Sequence, residues 1–268
     1  MSREHNEASM SWRDKTRSVY DNLDESIYIG DQETSDNIDF ITKLFPINKN
    51  TNLIDVGCGK GRLLFPLDSK GYRVYGIDIH EKSISKINSQ LKKIKSKSSA
   101  ENQDFCELKL DKNIYDGAFM IYGTFGVMDD SQIIRFLSEL RGSVKPRGRI
   151  IIDLLNLGRT VATAQRISDL GNKYKHIIGD HYSSAVRSRE VDENNIEITT
   201  YNIIGKGKDK NKRKIQYKQR LFSLSEISEL LNRANLIVED VSGDYKMSEY
   251  KKNSSPRMII IAKKGEEE

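Results

Sequence analysis

The sequence predicts an α/β protein built on a largely parallel sheet with helices on both faces. Two observations predict it. From residue 52 onward, short apolar strands alternate with segments of helical period, the pattern of a sheet covered on both sides. The residues with site chemistry, Gly57, Asp78, Asp104 and Tyr122, all fall where predicted strands end. In such sheets ligands sit beyond the carboxyl ends of the strands.

The elements follow in order. Residues 1–8 read as disordered. Ser9 or Ser11 then caps a helix carrying Trp12, Val19 and Tyr20. Ser35 to Leu44 places Ile38, Ile41 and Leu44 at helical spacing, and Pro46 stops it. Strand one covers 52–56, and the first crossover helix runs from Gly61 to Ser69. Strand two covers 73–77. Glu81 to Ile94 is a helix with Ile84, Ile87 and Leu91 on one face. A poorly marked third strand ends near Asp104, and the fourth is Tyr115 to Ile121. Ser131 to Ser143 is a helix, Pro146-Arg147-Gly148 a turn, and Arg149 to Leu155 a central buried strand.

The pattern then changes. Residues 158–171 read as a helix, and 183–191, 195–204 and 214–222 as three strands. Their apolar positions are Val186, Ile196, Ile198, Ile203, Ile215 and Leu221. Ser223 or Ser225 caps a helix over 226–234, strands over 236–241 and 257–262 close the sheet, and the 265–268 tail frays. The chain thus divides into residues 1–156, with N-terminal lid helices and the cofactor-binding half; 157–222, a β-rich insertion for substrate or oligomer contacts; and 223–264, the C-terminal part of the main domain.

Composition narrows the classes. With 268 residues, 37% hydrophobic and 31% charged, the chain is polar but globular. No apolar run is long enough to span a bilayer. Met1 to Glu7 lacks the apolar core of an export signal, and two cysteines make no disulfide framework. The expectation is a cytoplasmic protein without membrane partners. The net charge of +5 is local. Lys206, Lys208, Lys210, Lys212, Arg213, Lys214, Lys218 and Arg220 crowd one segment, and Lys92, Lys93, Lys95 and Lys97 another. Such runs bind phosphates or are solvated loop tips. The tip is favoured, because Tyr217 is the one nearby aromatic for stacking a base.

The densest signal is Asn52-Leu-Ile-Asp-Val-Gly-Cys-Gly-Lys-Gly-Arg62, followed by Tyr72-Arg-Val-Tyr-Gly-Ile-Asp78. Glycines at 57, 59 and 61 let backbone approach a ligand closely. An acid at the tip of the next strand accepts from both hydroxyls of a ribose. The pair describes a pocket for a nucleoside-bearing cofactor. A dinucleotide site wants Gly-x-Gly-x-x-Gly, and Arg62 stands at its last glycine. A P-loop needs Gly-Lys-Ser/Thr, and Gly61 follows Lys60.

Asp55 with Gly57-x-Gly-x-Gly61 resembles motif I of class I S-adenosylmethionine-dependent methyltransferases, and Gly76-Ile-Asp78 resembles their motif II. Further resemblances run from about Tyr20 to Lys264. Arg147-Gly148 stands where the family has a Pro-Gly-Gly turn. Leu221 to Leu231 resembles the helix before strand six. Ala234-Asn235-Leu236 resembles an Ala-Gly-Phe turn, and Ser255 to Ala262 the last strand. Thr124-Phe-Gly126 resembles a motif of small-molecule members, sugar N-methyltransferases among them. The resemblance implies a Rossmann-like sheet of seven strands with an antiparallel β insertion before the last helix–strand unit. It also implies S-adenosyl-L-methionine as cofactor and a small-molecule N or O acceptor. A metal is not expected, and a homodimer is left open.

The resemblance further implies roles. The main chain of Gly57, Cys58, Gly59 and Gly61 approaches the methionine part, and Asp55 orients the loop. Asp78 holds the ribose, Ile79 flanks the adenine, Asp104 takes the adenine amino group beside Phe105, and Tyr122 lines the methyl-transfer channel. Tyr20, with Tyr28, closes the lid. His181 is the candidate base for an oxygen acceptor. Each has a plainer reading: a helix cap for Asp78, a loop residue for Asp104, packing for Tyr20 and Tyr122, a surface histidine for His181. Asp153 and Asn156 follow strand five, as substrate contacts or caps. Three alternatives compete: an RNA or protein methyltransferase using the lysine-rich hairpin, a catalytically silent binding protein of the same fold, and a nucleotide-dependent oxidoreductase. Neither Cys58 nor Cys106 follows a proline, and Met120-Ile-Tyr-Gly replaces the Asn/Asp-Pro-Pro-Tyr of base-amine methyltransferases.

Overall fold

A computed structural model of the chain describes residues 11–15, 17, 29–47, 51–122, 125–169, 174–176, 182–205 and 212–265. A helical segment at 12–15 and 17 comes first. It is followed by α1 (Asp31–Leu44), β1 (Asn52–Val56), α2 (Leu64–Ser69), β2 (Arg73–Asp78), α3 (Glu81–Lys93), β3 (Ser99–Asn102) and β4 (Tyr115–Met120). Then come α4 (Asp130–Ser143), β5 (Val144–Leu155), α5 (Leu157–Asp169), β6 (Tyr174–His176), β7 (Tyr182–Val191), β8 (Ile196–Gly205) and β9 (Lys212–Arg220). The chain closes with α6 (Leu224–Arg233), β10 (Leu236–Ser242) and β11 (Arg257–Lys264).

Seven strands form one sheet in the order β10-β11-β5-β4-β1-β2-β3. β1 to β5 are mutually parallel, and β11 runs antiparallel to β5 and β10. Because side chains alternate across a strand, neighbouring residues feed two separate cores. Ile54, Met120, Ile150, Ile152 and Ile260 pack with Ile133, Leu137 and Leu231 of α4 and α6. Leu53, Phe119, Ile151, Ile259 and Ile261 pack with Ile41, Leu64 and Ile87 of α1, α2 and α3. Both faces are dry, which is why β5 and β11 read as unbroken apolar runs. Gly117 makes room on one face, since a Cβ there would come within 2.1 Å of the Phe45 ring.

Several boundaries differ from the sequence reading. α1 begins four residues before Ser35, with Asp31 and Glu33 at its positive end. α2 begins at Leu64, because positive-φ Gly61 belongs to the loop. Pro146-Arg147-Gly148 does not end a strand. It forms an irregularity inside β5, between the pairings Tyr115↔Val144 and Gly117↔Arg149, with Arg147 at φ 66°. Gly148 is obligatory there: a Cβ would sit 2.7 Å from the Asp116 carbonyl oxygen. Reciprocal capping boxes start α4 (Asp129, Gln132) and α6 (Ser223, Glu226).

The insertion is a four-stranded antiparallel sheet, β6-β7-β8-β9, not three strands. The extra strand, Tyr174-Lys175-His176, is too short and polar to show alternation. β9 ends at Arg220, and Leu221 and Phe222 turn into the main core. Gly126 seats that junction, since a Cβ would come 2.1 Å from the Arg220 carbonyl oxygen. Arg220 itself is spent on Asp130 (2.6 Å) and Glu226 (2.9 Å), so it leaves the basic cluster and ties the insertion to α4 and α6. Among the described residues, no helix is long and apolar enough to cross a membrane.

Candidate active site

The site is built at the carboxyl ends of β1, β2, β4 and β5. After Val56 the chain takes three left-handed glycines, Gly57 (φ 75°), Gly59 (φ 54°) and Gly61 (φ 84°). That path folds the loop across β2, and Gly57 N and Cys58 N both donate to the Ile77 carbonyl, at 2.7 and 3.0 Å. Cys58 becomes a wedge. A Cβ on Gly76 would meet its Sγ at 2.9 Å and Leu64 Cδ1 at 2.8 Å, so the motif II glycine exists to admit the motif I cysteine. Gly57 differs: nothing lies within 4 Å of where its Cβ would be. Its bare backbone faces open space, as close approach of a ligand requires.

Asp78 latches the loop. It is 7% exposed, and its carboxylate accepts from Gly59 N (2.9 Å) and His80 N (2.8 Å). Burial outweighs these bonds and raises its pKa above the ordinary value. A carboxylate has about four lone-pair sites, so two backbone bonds leave capacity for further donors. Asp55 is buried in β1, its backbone paired with Gly76 and Phe119.

Beyond β2 and β3, Ile79 and Phe105 are buried and His80 Nδ1 lies 2.7 Å from Ser83 Oγ. Asp104 caps the 3-10 turn Phe105–Glu107 by accepting from Cys106 N at 2.9 Å. Its other oxygen pairs with Arg13. Trp12 lies 5.4 Å from Phe105, and Arg17 Nε donates to the Ile79 carbonyl at 3.4 Å. The N-terminal helical segment therefore covers this side, through Trp12, Arg13 and Arg17. The sequence reading named Trp12 only as a helix residue and missed the two arginines, which lie 91 and 62 residues from their partners.

The ends of β4 and β5 carry a polar cluster. Tyr122, at φ 57°, donates its N–H to Asp153 Oδ2 at 2.9 Å. Asp153 also accepts from Tyr245 Oη (2.7 Å), Arg257 Nε (2.6 Å) and Arg257 Nη2 (2.5 Å). Four donors on one fully covered carboxylate offset its desolvation and hold Arg257 protonated. The Tyr245 hydroxyl is pushed well up by burial and by that negative charge. Two guanidiniums flank the Tyr122 ring, Arg257 at 4.8 Å and Arg62 at 5.3 Å. Arg62 Nη1 donates to Asn37 Oδ1 (2.8 Å) and Thr34 Oγ1 (3.2 Å) on α1. Glu33, on the same helix, has its pKa raised by partial burial, which outweighs the pull of Arg257 and Arg62. Asp153 is thus a holder of Arg257, and Asn156 ties down the 250s loop through the Lys251 and Ser255 carbonyls. Neither offers itself to substrate.

Asp55, Gly57, Cys58, Gly59, Gly61, Asp78, Ile79 and Tyr122 therefore gather around the ends of β1, β2 and β4, with Asp104 and Phe105 beyond β3. Tyr20, Tyr28, Thr124 and His181 lie outside the described residues. Among the described residues, no group of three or more potential ligands could hold a metal ion. The sequence reading missed Glu33, Asn37 and Tyr245. It used Arg62 only to exclude a dinucleotide site and took Arg257 as part of an apolar strand.

Sheet order, glycine loop and strand-end acid together support a class I S-adenosylmethionine-dependent methyltransferase domain. Residues 53–148 match the family described as "Methyltransferase domain". A curated relative, the ubiquinone biosynthesis O-methyltransferase of Rickettsia felis, is 29% identical over 119 residues, 44% of this chain and 47% of that protein. The chain spans about half the length of the curated relatives it matches. Among solved structures, the CcbJ methyltransferase from Streptomyces caelestis superposes with a TM-score of 0.74 at 17% identity, over 98% of this chain and all of that one. The sugar N-methyltransferase KedS8 from a Streptoalloteichus species does so at 0.64 and 12% identity, over 87% of each chain. These likenesses are of fold.

The residues fit the family's cofactor. Open space at Gly57 suits the methionine part, the buried Asp78 carboxylate suits two hydroxyl donors, and apolar Ile79 and Phe105 suit an adenine.

Proposed function

We propose that this protein transfers the methyl group of S-adenosylmethionine to a nitrogen or oxygen of a small-molecule acceptor. The observation that carries the reading is the glycine loop, latched by Asp78 and open at Gly57, beside a polar cluster centred on Tyr122. The bound sulfonium supplies an activated methyl group with a good leaving group. The chain's share is alignment and exclusion of water, which contributes about 7–11 kcal/mol of barrier lowering. Gly57, Cys58, Gly59 and Gly61 present main chain to the methionine part. Asp78 holds the ribose, with Ile79 and Phe105 against the adenine. Asp104 adds a polar contact there, shared with Arg13. Tyr122 lines the channel between cofactor and acceptor, and Tyr20 closes the lid. An amine acceptor needs only to lose a proton; Glu33, half-buried with a raised pKa, suits that task. His181 is the base proposed for an oxygen acceptor.

Small-molecule transfer is supported by the fold likeness to KedS8 and by the diversion of Arg220 from the basic run. The insertion at 157–222 is proposed to shape the acceptor side or a subunit contact. The test has two parts. Calorimetry should show binding of S-adenosylhomocysteine and none of NAD. A metabolite-library screen should then give acceptor-dependent release of S-adenosylhomocysteine. NAD binding without S-adenosylhomocysteine binding ends the reading.

A further inference from the structure

The polar cluster contains two arginines with opposite fates. Arg257 is neutralised by the bidentate Asp153 pair. Arg62, partly buried, has no carboxylate within 4.0 Å among the described residues; its partners there are the neutral oxygens of Thr34 and Asn37 and the face of Tyr122. Next to it lie two buried polar atoms with no hydrogen-bond partner among the described residues, Asn37 Nδ2 and Tyr122 Oη. Asn37 is 0% exposed, so bulk solvent does not reach its amide. A native fold leaves few such atoms unmade, and each calls for a reason.

The unspent groups closest to Arg62 can donate: its remaining guanidinium N–H bonds, the Asn37 amide and the Tyr122 hydroxyl. A half-buried cation with two orphan donors is complementary to a planar or tetrahedral oxyanion. Resting on the proposed methyl transfer, we propose that Arg62, Asn37 and Tyr122 bind an anionic group, carboxylate or phosphate, of the methyl acceptor. The sheet order sets that anion apart from the cofactor's nucleoside. Asp78 marks the nucleoside on the β2 side of β1, whereas this corner lies on the β4 side, against α1 and the ends of β4 and β5. Glu33 stands within electrostatic reach of both arginines, so the corner offers a fixed cation for the anion and a nearby carboxylate for an ammonium or hydroxyl on the same molecule.

The test uses the full chain saturated with S-adenosylhomocysteine, and small probes read by ligand-detected NMR and thermal shift. Acetate, benzoate and inorganic phosphate are compared with acetamide and benzamide. At least one anion should bind tenfold more tightly than its neutral counterpart. Arg62→Met should bring that ratio within twofold, with S-adenosylhomocysteine affinity kept within threefold. Tyr122→Phe, which keeps the ring, should lower the ratio partway even if the arginine variant does not fold. Equal binding of anions and amides overturns the proposal, as does a ratio unmoved by both substitutions. A tenfold loss of S-adenosylhomocysteine in Arg62→Met, with methylthioadenosine unaffected, also overturns it by assigning the corner to the cofactor's own carboxylate. Failure of the wild-type chain to bind S-adenosylhomocysteine at all is the separate result that sinks the methyltransferase reading beneath it.

Discussion

Asp78 has two tasks that one substitution removes together and a modified ligand separates. Its carboxylate accepts from Gly59 N and His80 N, at 2.9 and 2.8 Å, and is proposed to accept the ribose hydroxyls. Asp78→Ala removes both sets. A hydroxyl partner lost from a buried site costs about 1–3 kcal/mol, or roughly 5- to 150-fold in affinity. Freeing Gly59 N adds a comparable term, because three glycines let the loop explore more backbone than other residues would. Asp78→Asn keeps an oxygen acceptor and should fall between wild type and alanine. Calorimetry with S-adenosylhomocysteine measures the total. A 2′-deoxy version of the same ligand isolates the ribose share, since the cycle cancels what the two ligands have in common. Affinity within twofold of wild type in Asp78→Ala, or equal losses for both ligands, would refute the ribose role. The pH dependence follows from the raised pKa. Protonation of Asp78 favours the folded apo chain, so its contribution to stability is present at low pH and lost as pH rises through its folded pKa. Cofactor affinity runs the other way and should decline on acidification at a higher pH than an ordinary aspartate would set.

Five further outcomes are expected. Gly76→Ala drives a Cβ within 2.9 Å of Cys58 Sγ and should cost about 1–3 kcal/mol of stability in urea unfolding. Gly57→Ala meets no atom but must hold φ 75°, so it should cost about 1–2 kcal/mol and mainly abolish cofactor binding; unchanged affinity would argue against close approach there. Arg257→Met strands the buried Asp153 carboxylate and should cost about 3–5 kcal/mol at neutral pH, less on acidification, with Asp153→Leu restoring part of it; a loss under 1 kcal/mol would show the pair is not needed. The Cys106 thiol, pushed up to about 12 by burial and by Asp104, should resist iodoacetamide at pH 8 until the chain is unfolded, which peptide mass spectrometry reads. Neutralising Lys206, Lys208, Lys210 and Lys212 should leave small-acceptor turnover unchanged; if RNA binds instead, each lost phosphate contact should lower the log–log salt slope by about 0.7–0.9.

The sequence by itself determined the parts whose cause is local. Apolar runs marked β1, β4, β5 and β11 because strands buried on both faces have no polar side to show. Glycines 57, 59 and 61 marked the loop because left-handed backbone admits few other residues, and all three are left-handed. Asp78 was legible because motif spacing puts it at the tip of the strand beside the loop. The tertiary structure decided everything that depends on residues far apart in the chain. Arg257 reaches Asp153 across 104 positions, Arg13 reaches Asp104 across 91, and Arg220 reaches Asp130 across 90. No period or spacing encodes such pairs, since they exist only once the sheet order sets β11 beside β5 and the N-terminal segment over β3. The same holds for Arg62. In the sequence it is a residue that breaks a dinucleotide motif, and only the packing of α1 against the loop makes it a cation with neutral partners beside two unsatisfied donors.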